Sequence, residues 1–230
     1  MSQTDIYSKE FLAFLNRFLT PERIEHQDRV LEDRTKHITA VIEDVYQPHN
    51  ASAVIRTCDC FGLQDVHIIE EDHNFKMSSN VALGSSQWVN IHKYRLQENN
   101  TLDCLKHIKK QGYKIVATTP HTEKSIYDVD LDQPVALVFG NEKRGISDLV
   151  REHADELVKI PMYGFTESFN ISVSAALCLS VLVEKLRTTD IKWGLTEEEK
   201  NKLRVDWAKS HLGSIDKYIF EFERILAEKA

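Results

Sequence analysis

The amino-acid sequence predicts an α/β fold: a mainly parallel sheet covered by helices on both faces, with helical arms at the two ends of the chain. Strand-like and helix-like stretches alternate through the middle of the sequence, the pattern of crossover connections between parallel strands. The segment from Ile171 to Val183 carries no charge, so as a helix it is expected to be buried all round. Both terminal regions show apolar residues at helical spacing and need a surface against which to bury them.

Near the N-terminus, Phe11, Phe14, Leu15, Phe18 and Leu19 form one apolar stripe, and Thr20-Pro21 reads as the cap and first residue of a second helix. Strands are expected at Thr39–Val45, Val66–Glu70, Trp88–Tyr94, Tyr113–Thr118, Val135–Phe139 and Glu156–Ile160. Helices begin near Asn50, Ser79, Thr101 and Ser147, the third stopped by Gly112. After the uncharged helix, Thr196-Glu197-Glu198-Glu199 is a capping box, with Thr at the cap and Glu three residues later. Ile215, Tyr218, Ile219, Phe222, Ile225 and Leu226 then mark a last amphipathic helix. The expected organisation is an N-terminal arm over residues 1–37, a core domain over 38–188 and a C-terminal arm over 189–230.

Composition narrows the function classes. With 42% hydrophobic and 28% charged residues over 230 positions, the chain is that of a soluble globular protein. Asp5, Lys9, Glu10 and Arg17 interrupt any signal-peptide core. No uncharged run reaches the roughly 20 residues needed to span a bilayer, so a cytoplasmic protein without a membrane partner is expected. Cys58, Cys60, Cys104 and Cys178 form no CxxC pair and share no metal-ligand spacing with the histidines; reduced thiols and no metal are expected. The net charge of -7 has the wrong sign for a generic polyanion binder, so a nucleic-acid substrate would need a local basic patch. Arg23, Arg29, Arg34 and Lys36 in the second N-terminal segment are the candidates.

Three stretches carry possible chemistry, and each also has a plain structural reading. Pro48-His49-Asn50 opens the first strand-to-helix turn, where a dinucleotide site would have glycines. In the helix that follows, Ala51, Val54, Ile55, Cys58 and Phe61 form the buried stripe, while Ser52, Arg56 and Asp59 share the opposite one. Plainly read, Asn50 is a helix cap and Arg56 pairs with Asp59 on a solvated face. Functionally read, Arg56 lies near a strand carboxyl end, where α/β proteins bind ligands. The second stretch, Val138-Phe139-Gly140-Asn141-Glu142-Lys143-Arg144-Gly145-Ile146, runs a hydrophobic strand into a turn between two glycines. Glycines permit close approach of backbone to a ligand, although a simple connection would look the same. The third, Ile160-Pro161-Met162-Tyr163-Gly164-Phe165-Thr166-Glu167-Ser168-Phe169-Asn170, breaks a strand, passes through a polar loop and caps the uncharged helix with Asn170. Capping explains Asn170 but not Ser168 or the polar loop before it.

Together and in this order, Asn50 and Arg56 six apart, FGxE(K)xG, and IPMxG followed by SxN[IV]SV(S/A)A resemble the signature of the SpoU (TrmH-like) branch of the SPOUT RNA methyltransferases. The resemblance extends through Val45-Tyr46-Gln47, Arg56-Thr57-Cys58-Asp59, Gly84-Ser85-Ser86-Gln87-Trp88-Val89 and Ala117-Thr118, and reaches Val205-Asp206-Trp207. It therefore covers nearly the whole chain. Within the family it is closest to the members that methylate guanosine 18 of tRNA. The chain departs from them at Thr166-Glu167-Ser168-Phe169, where Val-Gln-Ser-Leu is usual.

The resemblance implies a C-terminal trefoil knot, a homodimer with its site completed across the interface, and S-adenosylmethionine held bent in the knot largely by main-chain atoms. Carried over, it places Thr118, Gly140, Ile160, Met162 and Phe169 around that cofactor. The implied reaction is 2'-O-methylation of a ribose in the tRNA D-loop, at guanosine 18. Arg56 would activate the 2'-hydroxyl or stabilise its alkoxide. Asn50 and Asn170 would orient Arg56 and substrate, Glu142 would position the site, and Ser168 would shape the cofactor loop. The alternatives are methylation of ribosomal RNA or another tRNA position, and a non-catalytic RNA-binding member that has lost the chemistry.

Overall fold

A computed structural model describes residues 5–95 and 98–228. In chain order the elements are α1 (Lys9–Asn16), α2 (Pro21–Glu32), β1 (Ile38–Glu43), α3 (Pro48–Cys60), β2 (Asp65–Ile69), α4 (Ser79–Ala82), β3 (Asn90–Tyr94) and α5 (Asn100–Lys110). They continue with β4 (Lys114–Thr118), β5 (Val135–Phe139), α6 (Asp148–His153), β6 (Glu156–Val158), α7 (Ile171–Arg187), α8 (Glu197–Leu212) and α9 (Asp216–Glu228). Two compact units result, one running from Thr35 to Trp193, the other joining the residues up to Arg34 with those from Gly194 onward.

The larger unit is a parallel sheet in the order β3-β2-β1-β5-β4-β6. Side chains alternate along each strand, and the alternation sorts the core. Ile38, Ala40, Ile42, Val135, Leu137 and Phe139 pack on one face with Ala51, Val54 and Ile55 of α3 and Ala175, Leu179 and Leu182 of α7. Val41, Ala136 and Val138 pack on the other with Leu105 and Ile108 of α5 and Val150 of α6. After β1 the chain moves toward β2 and β3; after β5 it moves toward β6 at the opposite edge. The carboxyl ends of β1 and β5 thus flank the point where the winding reverses, the place where open α/β sheets hold ligands.

Several boundaries depart from the sequence expectation. Pro48 takes the first position of α3 with Gln47 at its cap, so Asn50 lies inside the first turn and is free to bond elsewhere. The helix expected near Ser79 is a single turn that ends at Leu83 in the left-handed region, and the last strand stops at Val158. Ser52 faces inward, fully buried, with its hydroxyl donating to Pro48 O and accepting from Ser78 N. Nor is α7 buried all round, for Val173 and Leu177 are 44% and 40% exposed. A helix laid on a sheet covers only the stripe facing it, here Ile171, Ala175, Cys178, Leu179, Leu182 and Leu186.

In the smaller unit α1, α8 and α9 share a core of Phe11, Phe14, Leu15, Val205, Ala208 and Phe222, with the Phe11 and Phe222 rings 5.2 Å apart. Thr20 and Thr196 cap α2 and α8 as expected, the latter with the reciprocal Glu199 bond of a capping box. Arg34 corrects an expectation: it is 2% exposed, its guanidinium 5.6 Å from the Trp207 ring centroid. An arginine so enclosed is a packing residue and does not reach RNA phosphates.

Candidate active site

The loops after β1 and β5 meet at the winding reversal. Asn141 Nδ2 donates to Asp44 O at 2.6 Å, and Asn141 and Gly145 exchange both backbone hydrogen bonds, closing residues 141–145 into a tight turn. A Cβ on Gly140 would stand 2.3 Å from Gly145 C and Ile146 N, so the turn packs back on the strand end only because that residue is glycine. This geometry aims Glu142 at the start of α3. Glu142 accepts from Tyr46 N at 2.9 Å, from Gln47 N at 3.4 Å and from Asn50 Nδ2 at 2.7 Å. Asn50 Oδ1 in turn accepts from Asn170 Nδ2 at 3.1 Å, and Asn170 Oδ1 caps α7 through Ser172 N. Three residues from three distant motifs form one hydrogen-bonded chain. Burial pushes the Glu142 carboxyl up, but hydrogen bonds from Asn50 and the backbone outweigh it and hold the group below its ordinary value.

Beside this chain lies a cavity of about 350 Å³, lined by Thr118, Gly140, Ile160, Met162, Phe169, Ser168 and Glu142 among others. The five residues expected around a cofactor therefore share one wall system, and Ser168 and Glu142 join them. Its size falls in the range of about 300–1,000 Å³ for small-molecule sites. Ile160, Met162 and Phe169 with the Gly140 backbone suit an adenosine, and the Glu142 and Glu167 carboxylates on the same lining suit a cationic sulfonium-bearing tail, so the residues present fit S-adenosylmethionine.

Arg56 is placed elsewhere. It is exposed on α3, does not line the cavity, and its side chain makes neither a hydrogen bond nor an ion pair within the described residues. Six positions beyond Asn50, it points to a different side of the helix. The four residues of the expected basic segment are not placed alike. Arg23 and Arg29 are exposed on α2, Arg34 is buried, and Lys36 belongs to the larger unit, where its ammonium lies 4.0 Å from Asp65. Four acids, Glu22, Glu25, Asp28 and Glu32, share α2 with the two exposed arginines.

Two residues that the sequence did not single out hold the loops in register. Asp44, at a positive φ of 45°, accepts from the N–H groups of Glu71, Asp72 and His73 and pairs with Arg144 at 2.8 Å. The signal available was an acid directly after a strand and a cation in the glycine-bounded turn, too common a pattern to select.

The model of the SpoU rRNA Methylase family matches residues 37–180. A Borreliella burgdorferi protein named tRNA (guanosine(18)-2'-O)-methyltransferase is 40% identical over 85% of this chain and 88% of its own length. An Aquifex aeolicus protein of the same name is 34% identical over 81% and 89%. The solved structure of the A. aeolicus TrmH/SpoU tRNA modifying enzyme superposes with a TM-score of 0.74 at 31% identity, covering 84% of this chain and 98% of that one. With ordered motifs, fold and relatives in agreement, the chain belongs to the SpoU methylase family.

Proposed function

We propose that this protein transfers a methyl group from S-adenosylmethionine to the ribose 2'-oxygen of guanosine 18 in tRNA. The observation that carries the reading is the Asn170–Asn50–Glu142 chain at the edge of a cavity that fits the cofactor. Relatives bearing that activity in their names support the choice of nucleotide.

When bound, S-adenosylmethionine would supply an electrophilic methyl carbon to the ribose 2'-oxygen, with its carbon–sulfur bond breaking as the carbon–oxygen bond forms and the hydroxyl proton leaving to water. The protein's part is orientation and charge. Ionised Glu142 fixes the Asn50 amide, and Asn50 fixes that of Asn170, presenting aligned dipoles to the ribose at no reorganisation cost. Arg56 is a fixed cation for the developing alkoxide, since a guanidinium with a pKa above about 12 is a poor base. Because Arg56 lies outside the cavity of its own chain, a second copy supplies it, and the protein works as a homodimer. The uncovered Val173 and Leu177 on α7 supply apolar surface for that pairing.

The trefoil knot of the family is part of the same reading. Pairing of Lys159 with Lys124 and Ile126, which lays the chain after β6 against the segment after β4, supports it. Cytoplasmic location follows from the substrate, and no helix among the described residues is long and apolar enough to cross a membrane.

The test is a tRNA with a single 2'-deoxyguanosine at position 18. Loss of methyl transfer to it, with full transfer to the normal tRNA, is the expected result. Equal methylation of both would reassign the target to another tRNA position or to ribosomal RNA.

A further inference from the structure

One aromatic ring at this site has no part in the chemistry above. Tyr46 stands four residues before Asn50 and is 45% exposed, yet it is held firmly. Its N–H donates to Glu142 Oε2 at 2.9 Å, and the His73 ring meets it at 80° with centroids 5.2 Å apart. His73 is itself anchored, its N–H and Nδ1 both directed at the Asp44 carboxylate. The ammonium of Lys143, next in sequence to Glu142, sits 3.5 Å from the Tyr46 ring centroid. Tyr163 and Phe165 are more exposed, but no ring or charge contact braces them within the described residues.

A ribose whose 2'-oxygen enters an enclosed site belongs to a nucleotide pulled out of its stack, and its base then needs another π-surface. Tyr46 offers one, pre-positioned by the same carboxylate that orients Asn50. Lys143 is a displaceable occupant of that ring: its flexible stem lets the ammonium move to a phosphate, and base stacking is stronger than an exposed cation–π contact. We propose that Tyr46 is the platform on which the base of the target nucleotide stacks, with Lys143 passing from the ring to an adjoining phosphate. This rests on the reading of the site as a ribose methyltransferase.

The test compares the wild type with Tyr46→Leu and Tyr46→Phe, using tRNA carrying 2-aminopurine at the target position as well as normal tRNA. Stacking on a ring quenches 2-aminopurine, so the saturated Tyr46→Leu complex should emit several-fold more light than those of the wild type and Tyr46→Phe. On normal tRNA, Tyr46→Leu should raise KM about 10- to 100-fold, while the calorimetric Kd for S-adenosylmethionine stays unchanged. Equal emission from all three complexes would overturn the proposal. So would a loss confined to cofactor binding. If the wild type methylates tRNA normally, such results remove only the role of Tyr46; a wild type that methylates no tRNA overturns the proposed function with it.

Discussion

Asn50 Nδ2 donates to Glu142 Oε1 across 2.7 Å, joining the first turn of α3 to the loop after β5 over 92 positions of sequence. The same Asn50 accepts from Asn170, so its amide can hold only one orientation: oxygen toward α7, nitrogen toward the carboxylate. An ionised Glu142 is what fixes that polarity.

Replacing Glu142 with Gln should therefore cost more than its change in shape. One acceptor oxygen becomes a donor facing Asn50 Nδ2 or the N–H of Tyr46, and the amide chain can reverse. We expect kcat to fall about 10²-fold, the scale of lost electrostatic preorganisation, with cofactor Kd little altered. Because the folded carboxyl lies below its ordinary value, its contribution to stability is complete above the unfolded pKa and is lost as pH falls through the folded one. The difference in Tm between wild type and Glu142→Gln should be constant near neutrality and shrink in acid. A gap that widens in acid would contradict the assignment.

A second titration sits away from the site. His67 is 1% exposed, stacked 4.7 Å from His92 and bonded to Tyr94 OH at 3.0 Å, with His107 and Asp65 nearby. Burial, reinforced by His92, lowers its pKa to about 3. The unfolded chain takes up this proton near pH 6.5, so stability should fall as pH drops from there to about 3, by at most about 1.4 kcal/mol per pH unit. His67→Gln, which keeps a partner for Tyr94, should flatten Tm against pH across that window. An unchanged slope would show that His67 is not responsible.

Local signals carried much of this fold. Strand positions to within two residues, the helix start at Ser147, the Thr196 and Asn170 caps, and the stop near Gly112 all follow from nearest-neighbour chemistry, and the structure has them. The sites of failure share a cause. Asn50 was open to being read as a cap because the bond that defines it comes from Glu142, far along the chain. Ser52 was assigned outward from helical spacing, but the segment around Ser78 covers that side of α3. Arg34 looked like a surface cation because a sequence does not show Trp207 lying beside it. The Asp44–Arg144 pair was invisible for the same reason, being a contact between two loops.

Assembly is the next expectation. Val173 and Leu177 lie one turn apart on the uncovered side of α7, and a two-fold contact there brings each patch against its own copy. Leu177→Glu would set like charges face to face and should convert the protein to monomers by sedimentation velocity, with the far-ultraviolet circular dichroism of the wild type. A wild type that is monomeric at micromolar concentration and fully active would exclude the interface.

Under the proposed function, Arg56 links assembly to chemistry. Arg56→Ala should lower the rate at least about 10²-fold with little change in cofactor affinity, and Arg56→Lys should recover part of it if a point charge suffices. Mixing two inactive variants decides where the arginine acts. In a dimer of one Arg56→Ala chain and one Glu142→Gln chain, supply across the interface leaves one site with both native groups and the other with neither. Supply within each chain leaves both sites with a lesion. Co-refolded mixtures should therefore regain activity that neither parent shows, up to one working site per mixed dimer. Mixtures as inactive as their parents would return Arg56 to its own chain and require α3 or the RNA to bring it to the cavity.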